Sequence, residues 1–357
     1  MNDRLFARLS ALRSRIQEAS LSGLYVTGAS NVEYLIGGSG KDCALWITPT
    51  EALILTDFRY MEMALALSGL YEYRELKVGS DVCDFFKARS DERIGVEKHN
   101  LSLGAYLDLE ASLGSDRLVA TERMVEDLRE VKDEHEIEAT RKACAIADAC
   151  FSHMCDFLKP GILEREAALE IEFFMKSSGA DDLSFDVICV SGANSSRPHG
   201  IPGEKAIEAG DFVTLDFGCK VDGYCSDMTR TVAIGFADDD MRAVYDLVLL
   251  AQRTACDGIR AGMECKAADR LARDVIEQAG YGDYFGHGLG HGTGLQIHEA
   301  PRLRPGYEGV LRENHIVSIE PGVYLPGRFG VRIEDLALVK PFGIINFTSS
   351  PKELLIL

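Results

Sequence analysis

The chain has 357 residues, 46% hydrophobic and 27% charged, which fits a globular protein with room for two domains. Its net charge of −19 argues against nucleic acid or an anionic membrane surface as the main partner and favours cations. The first residues hold no apolar core of signal-peptide length, no apolar run would cross a bilayer, and the ten cysteines show no CxxC spacing, so reduced thiols in the cytoplasm are expected.

Leu5, Leu9, Leu12 and Ile16 mark one face of a helix over 4–19. A strand is predicted at 23–27, and two more, at 44–48 and 52–56, are joined as a hairpin by Pro49-Thr50-Glu51. Helices at 58–67 and 82–88, a strand at 93–97, a helix at 101–113 and a strand at 117–120 complete an alternating pattern. Residues 1–125 therefore read as an α/β domain. A charged stretch over 121–132 leads into a long helix at 133–158, stopped by Lys159-Pro160-Gly161. A helix at 164–176 and a strand at 185–191 follow. Next comes an irregular segment with two prolines that delivers His199.

Residues 211–232 read as two strands around Val221-Asp222-Gly223. Asp216 and Asp227 are nearly equidistant from that turn, so they should face each other or lie one register step apart. Like charges so placed destabilise a sheet, and a bound cation removes the objection. After helices at 239–260 and 267–279 comes Phe285-Gly-His-Gly-Leu-Gly-His-Gly-Thr-Gly-Leu-Gln-Ile-His298. A helix here would hold five glycines in three turns, each costing about 0.5–1 kcal/mol relative to alanine. An extended segment is expected instead, with His287 and His291 on one face. The hairpin motif then recurs: Glu320 and Glu334 stand symmetrically about Pro326-Gly327, inside otherwise apolar strands. Buried unpaired carboxylates cost several kcal/mol or stay protonated. Four carboxylates neutralise two divalent cations, and His291 adds one nitrogen to an oxygen-rich donor set. The donor set suits Mn²⁺, with Co²⁺, Zn²⁺ and Fe²⁺ as alternatives.

The order Asp216, Asp227, His291, Glu320, Glu334, in the contexts LDFG, SDMTR, GHGTGLQIHE, SIEPGVY and VRIEDLALV, resembles the dinuclear pita-bread metallopeptidases. The segments Asn31-Val-Glu-Tyr-Leu-Ile-Gly37 and Leu55-Thr-Asp-Phe-Arg-Tyr60 resemble the extra N-terminal domain of the aminopeptidase P and prolidase branch. The resemblance implies a two-domain α/β architecture: an N-terminal creatinase/prolidase-like α/β domain, and an α+β pita-bread metallopeptidase domain over 133–357. It implies Asp227 and Glu334 as bridging ligands of two divalent metals, with Asp216 on one metal and His291 and Glu320 on the other. A water or hydroxide between the metals would be the nucleophile. Glu320 would also handle its proton, His298 would steady the oxyanion, and His199 would lie near the scissile amide. His287 would hold substrate or the surroundings of the ligands, and Arg332 would orient ligand carboxylates. Plainer readings compete at His199, as an exposed loop residue, and at His287, as a structural one. The expected activity is a Xaa-Pro aminopeptidase acting on proline-containing peptides, with a Xaa-Pro dipeptidase (prolidase) as the alternative and a catalytically silent binding protein as a remote third. A homodimer is expected from the resemblance.

Overall fold

The computed structural model describes residues 2–76 and 82–357, which divide into two compact units, 1–129 and 130–357. In the first, α1 (Asn2–Glu18) buries Leu5, Leu9, Leu12 and Ile16 completely or nearly so. It is followed by β1 (Gly23–Val26), α2 (Ala29–Ile36), β2 (Ala44–Ile47), β3 (Ala52–Thr56), α3 (Met61–Ala66) and β4 (Glu72–Glu75). The unit is completed by α4 (Val82–Lys87), β5 (Ile94–Glu97), α5 (Leu103–Leu113), β6 (Leu118–Thr121) and α6 (Glu126–Arg129). The strands form one mixed sheet in the order β4-β3-β2-β1-β5-β6. The expected hairpin is present, with Ile47 opposite Ala52.

Sequence reading missed α2 and β4. β4 is polar and largely exposed, and it is a strand because it pairs in parallel with β3 at the sheet edge. The start of α2 is held by a buried carboxylate: Glu97 accepts from the Thr27 and Gly28 amides at 2.6 and 2.7 Å and from Asn31 Nδ2 at 2.6 Å. This explains why Asn31 opens the motif noted above.

The second unit begins with α7 (Glu134–Phe157), capped reciprocally by Asp133 and Glu136, and α8 (Glu164–Ser177). Then come β7 (Asp182–Leu183), β8 (Ile188–Ser191), β9 (Phe212–Phe217), β10 (Cys219–Val221), β11 (Tyr224–Cys225) and β12 (Met228–Ala233). Helices α9 (Asp239–Gly258) and α10 (Cys265–Gln278) open a second set of strands: β13 (Gly290–Gly292), β14 (Glu299–Leu303), β15 (Ile316–Ile319), β16 (Gly322–Leu325), β17 (Phe329–Arg332), β18 (Asp335–Lys340) and β19 (Gly343–Asn346). One sheet runs β12-β9-β8 and another β14-β13-β15-β18-β19. One apolar core packs α7 and α8 against the first sheet, and a second packs α9 and α10 against the other.

Both acidic hairpins are bent, and each keeps a single register through its bend. In the first, Asp216 faces Thr229 and Lys220 faces Cys225, on either side of a break at Gly218. A Cβ on Gly218 would come within 2.0 Å of the Ser226 carbonyl oxygen, so only glycine allows the strands this close. Asp227 lies at the break, two residues from the partner of Asp216, and alternation keeps the two carboxylates on one face. In the second hairpin, Ile319 faces Asp335 and Gly322 faces Arg332. Glu320 and Glu334 therefore stand opposite each other at the break, not inside continuous strands as expected. The bend lifts both side chains out of the ladder.

The histidine segment is extended, but regular pairing is confined to β13, with a register shift after His291. Added Cβ atoms on Gly290 and Gly292 would meet the Ser318 and Ala300 carbonyl oxygens at 2.0 and 2.2 Å. The glycines let β13 lie tightly between β15 and β14.

His315, which matches no candidate ligand position, is buried. Arg312 sets its backbone N–H 3.2 Å from Nδ1 and its Nε 3.1 Å from Nε2. Burial, then the charges of Arg312 and Lys132, lower the His315 pKa from 6.5 to about 3. The unfolded chain therefore takes up a proton near pH 6.5 that the fold refuses. This contribution to stability is complete above that pH and declines as the pH falls toward 3. From pH 6.5 to 5 the loss from this group should approach about 2 kcal/mol. Thermal unfolding of His315→Gln should show a shallower decline in Tm over that interval. An equal decline in both proteins would mean that other groups carry the acid sensitivity.

Candidate metal centre and active site

The two bent hairpins meet where the Glu334 amide donates to the Thr229 carbonyl at 3.1 Å, bringing their carboxylates together. Ligand atoms of Asp227, His291 and Glu334 lie within 4.8 Å of one another. The remaining two candidates adjoin them. His291 Nε2 is 3.3 Å from Glu320 Oε1 and 3.5 Å from Asp227 Oδ2, and Asp216 is paired with Arg332. All five line one cavity of about 780 Å³ in the second unit, together with His199, His287, His298 and Arg332.

The tautomer of His291 follows from its neighbours. Its Nδ1 lies 3.1 Å from the Gly292 carbonyl, which only accepts, so Nδ1 carries the hydrogen. The Nε2 lone pair then faces two carboxylates, an arrangement that repels unless a cation stands between them. The carboxylates carry the same signature. Burial first, and then repulsion from the neighbouring acids, drives Asp227 and Glu334 well above the usual carboxylate range. Burial also raises Asp216, against the pull of Arg332, and Asp216 Oδ1 is buried with no hydrogen-bond partner. Glu320 goes the other way. Burial opposes its ionisation, but positive charge on the His291 side, which a proton or a bound cation at Nε2 would supply, together with Arg332, draws its carboxyl below the usual range. Buried oxygens too crowded to ionise together, an orphaned Asp216 oxygen and an outward lone pair on His291 fit divalent cations. The expected ligand residues thus fit the group their pattern implied.

The surroundings hold these donors in place. Thr229 Oγ1 donates to Glu334 Oε2 at 2.6 Å and accepts from Arg332 Nε at 3.0 Å. Ser318 Oγ accepts from the His291 amide and donates to Glu320 Oε1, both at 3.0 Å. Arg332, expected to orient ligand carboxylates, reaches Asp216 and also donates to the Tyr324 hydroxyl at 2.7 Å. That hydroxyl in turn donates to His287 Nε2 at 3.0 Å, while His287 Nδ1 donates to the Gly288 carbonyl at 2.8 Å. Both ring nitrogens of His287 are thus used inside the protein. Of the two roles expected for it, holding substrate or supporting the ligands, the geometry favours the second. Tyr324 and Thr229 were not anticipated, since a tyrosine or threonine in a strand carries no distinguishing signal.

The rings of His199 and His298 are different. Among the described residues neither has a hydrogen-bond partner, and both line the cavity. Burial, then positive charge on the His291 side and at Arg302, lower His298 to about 4, so it stands neutral with a hydrogen to donate. Sequence reading also missed Arg302 and Arg304. Arg302 is the cross-strand partner of His291, is partly buried, and among the described residues forms no hydrogen bond or ion pair. The available signal was the pair of arginines spaced by two directly after the histidine segment.

Comparison with known proteins agrees with this geometry. Residues 138–341 match metallopeptidase family M24, and residues 8–131 match the creatinase/prolidase N-terminal domain. The chain is 41% identical to the uncharacterized peptidase YqhT of Bacillus subtilis over 355 residues, covering 98% of this chain and 100% of that one. Among solved structures, a Xaa-Pro dipeptidase from Bacillus anthracis superposes with a TM-score of 0.95 at 41% identity, covering 99% and 100% of the two chains. An X-Pro aminopeptidase from Thermotoga maritima gives 0.88 at 32% identity, covering 96% and 100%. The chain belongs to metallopeptidase family M24, with a pita-bread catalytic domain preceded by a creatinase/prolidase N-terminal domain.

Proposed function

We propose that this metallopeptidase is a Xaa-Pro dipeptidase, the alternative expected from sequence, in preference to the aminopeptidase. The observation that carries this reading is Arg302, a guanidinium without a partner among the described residues, set beside His291, with Arg304 two residues on. In a dipeptide, the C-terminal carboxylate is separated from the scissile nitrogen only by the proline Cα. It must therefore bind close to the reacting bond, and an arginine is the group that recognises it. In a longer peptide that carboxylate is replaced by an uncharged amide, which gains less. The likeness to the Bacillus anthracis dipeptidase, higher in identity and in TM-score than that to the Thermotoga maritima aminopeptidase, supports the same choice.

Two divalent metals, held by Asp216, Asp227, His291, Glu320 and Glu334, would supply Lewis acidity and a water acidic enough to attack. Mn²⁺ suits the oxygen-rich donor set best. Glu320 would receive the water's proton and pass it to the proline nitrogen, which cannot leave unprotonated. Neutral His298 donates to the oxygen on which negative charge develops, and His199 flanks the scissile amide. A tertiary X-Pro amide has no N–H, so a site that asks for none there accepts it. Among the described residues no disulfide joins any of the ten cysteines, which fits a reducing cytoplasm. A homodimer is proposed from the resemblance, supported by Phe58, Met61 and Leu65, which are exposed at helical spacing on the first unit.

Three outcomes are expected. Asp227→Ala and Glu334→Ala should each remain folded by circular dichroism yet bind fewer than two metals per chain by elemental analysis; full loading would show that neither bridges. Protein reloaded with Mn²⁺ should split Ala-Pro and leave Ala-Pro-Ala-Ala intact, and Arg302→Met should raise KM for Ala-Pro by about tenfold to a hundredfold, the value of charge-assisted hydrogen bonds. Efficient release of alanine from the tetrapeptide would instead establish the aminopeptidase. Light scattering at micromolar concentration should give the mass of a dimer, and a monomer alone would refute that assembly.

A further inference from the structure

The strand registers give the cavity two chemically distinct ends. Across β13 and β14, His291 faces Arg302, and Arg304, two residues further along, also lines the cavity. Across β8 and β9, Asp216 faces Ile188. The residues leading into β8 continue that wall: Phe185 and Asp186 line the cavity beside Ile188. Asp186 is exposed, and among the described residues its carboxylate has no hydrogen bond or ion pair. One end is therefore cationic. The other is apolar at depth and acidic at its rim.

Resting on the dipeptidase reading above, we propose that Asp186 selects the residue ahead of the proline, favouring lysine and arginine over acidic side chains. With the substrate carboxylate at Arg302, the scissile carbonyl lies among the metal ligands. The free amine is repelled from the Arg302 end and lies toward Asp216, where Arg332 holds one carboxylate oxygen and Oδ1 has no hydrogen-bond partner among the described residues. The N-terminal residue is thereby placed against β8, and its side chain runs outward along Phe185 and Ile188. A lysine or arginine has the form this wall accepts: an apolar stem that lies along Phe185 and Ile188, and a cationic tip that reaches the rim while staying hydrated. Asp186 stands where that tip arrives. Glutamate or aspartate would bring like charge to the same place, and small apolar residues would neither gain nor lose. The charge of −19 acts on any cationic substrate by long-range attraction, so the test must separate this one carboxylate from the general field.

The experiment compares kcat/KM for Lys-Pro, norleucine-Pro and Glu-Pro, using Mn²⁺-loaded wild type, Asp186→Asn and Asp186→Lys. Lysine and norleucine share the same stem, so their ratio reports the charge alone. Asp186→Asn should lower the Lys-Pro to norleucine-Pro ratio by about threefold to fivefold, the scale of a solvent-exposed ion pair. Asp186→Lys should invert the order of Lys-Pro and Glu-Pro. The wild-type preference should shrink in 0.5 M NaCl, where the screening length falls to roughly 4 Å. Ratios that agree within twofold across all three proteins would overturn the assignment of Asp186 and leave the dipeptidase reading standing. If metal-loaded wild type cleaves no Xaa-Pro dipeptide at all, the dipeptidase reading fails and takes this assignment with it.

Discussion

Three buried carboxylates and a fourth, the partly buried Glu320, lie within reach of one another in the second unit, and the catalytic domain is arranged around that fact. In a low-dielectric interior, such a group of like charges opposes folding unless protons or cations intervene. The fold meets this with geometry before any ion is considered. Asp216 and Asp227 come from one bent hairpin, Glu320 and Glu334 from the other, and the bends free three of the four side chains from the regular ladder. In a continuous flat hairpin each pair would share a face but stay fixed at the spacing of its own ladder. A break that preserves register turns them toward a common point.

What holds the bends also holds the donors. Arg332 spans from Asp216 to Tyr324, and Thr229 ties Arg332 to Glu334. Behind them, Arg230 is fully buried and donates to the Thr229 and Glu334 carbonyls at 2.9 and 2.5 Å, to Asp335 at 2.8 Å, and to the Ser350 and Pro351 carbonyls of the C-terminal tail at 2.8 and 2.9 Å. A guanidinium with five donors in a fixed plane suits a junction where two hairpins and the tail converge. Removing one partner from such a buried pair typically costs about 3–5 kcal/mol, because the other charge is left uncompensated. The rigidity of the centre thus extends from the ligands to the last residues of the chain.

The cavity sorts its histidines by what their nitrogens already do. His287 spends both on the protein, and His291 spends one and offers the other toward the acids. His199 and His298 keep theirs for whatever enters. On the reading proposed above, Arg302 at one end and Asp186 at the other would give the site a direction, with the substrate carboxylate toward β14 and the amine toward β8.

The sequence by itself determined the chemical character of the centre. Aspartates and glutamates inside apolar hairpins violate strand preference and burial cost, and glycines alternating with histidines have no use in an ordinary core, so both stood out one residue at a time. The long helices and the β2–β3 hairpin were equally readable, because periodicity and turn residues are local signals. Only tertiary structure decided the rest. β4 is a strand through its neighbour, and the bends at Gly218 and between Glu320 and Glu334 arise from close packing that no local pattern encodes. His287 is tied into the protein by the Tyr324 hydroxyl that the fold brings beside it. Arg302, Arg304 and Asp186 look like ordinary surface charges in the sequence. The roles proposed for them rest on strand pairing, which sets Arg302 opposite His291 and Ile188, with Asp186 just before it, opposite Asp216. Which residues carry the chemistry follows from what each side chain is, whereas what they recognise follows from which residue each strand brings to its neighbour.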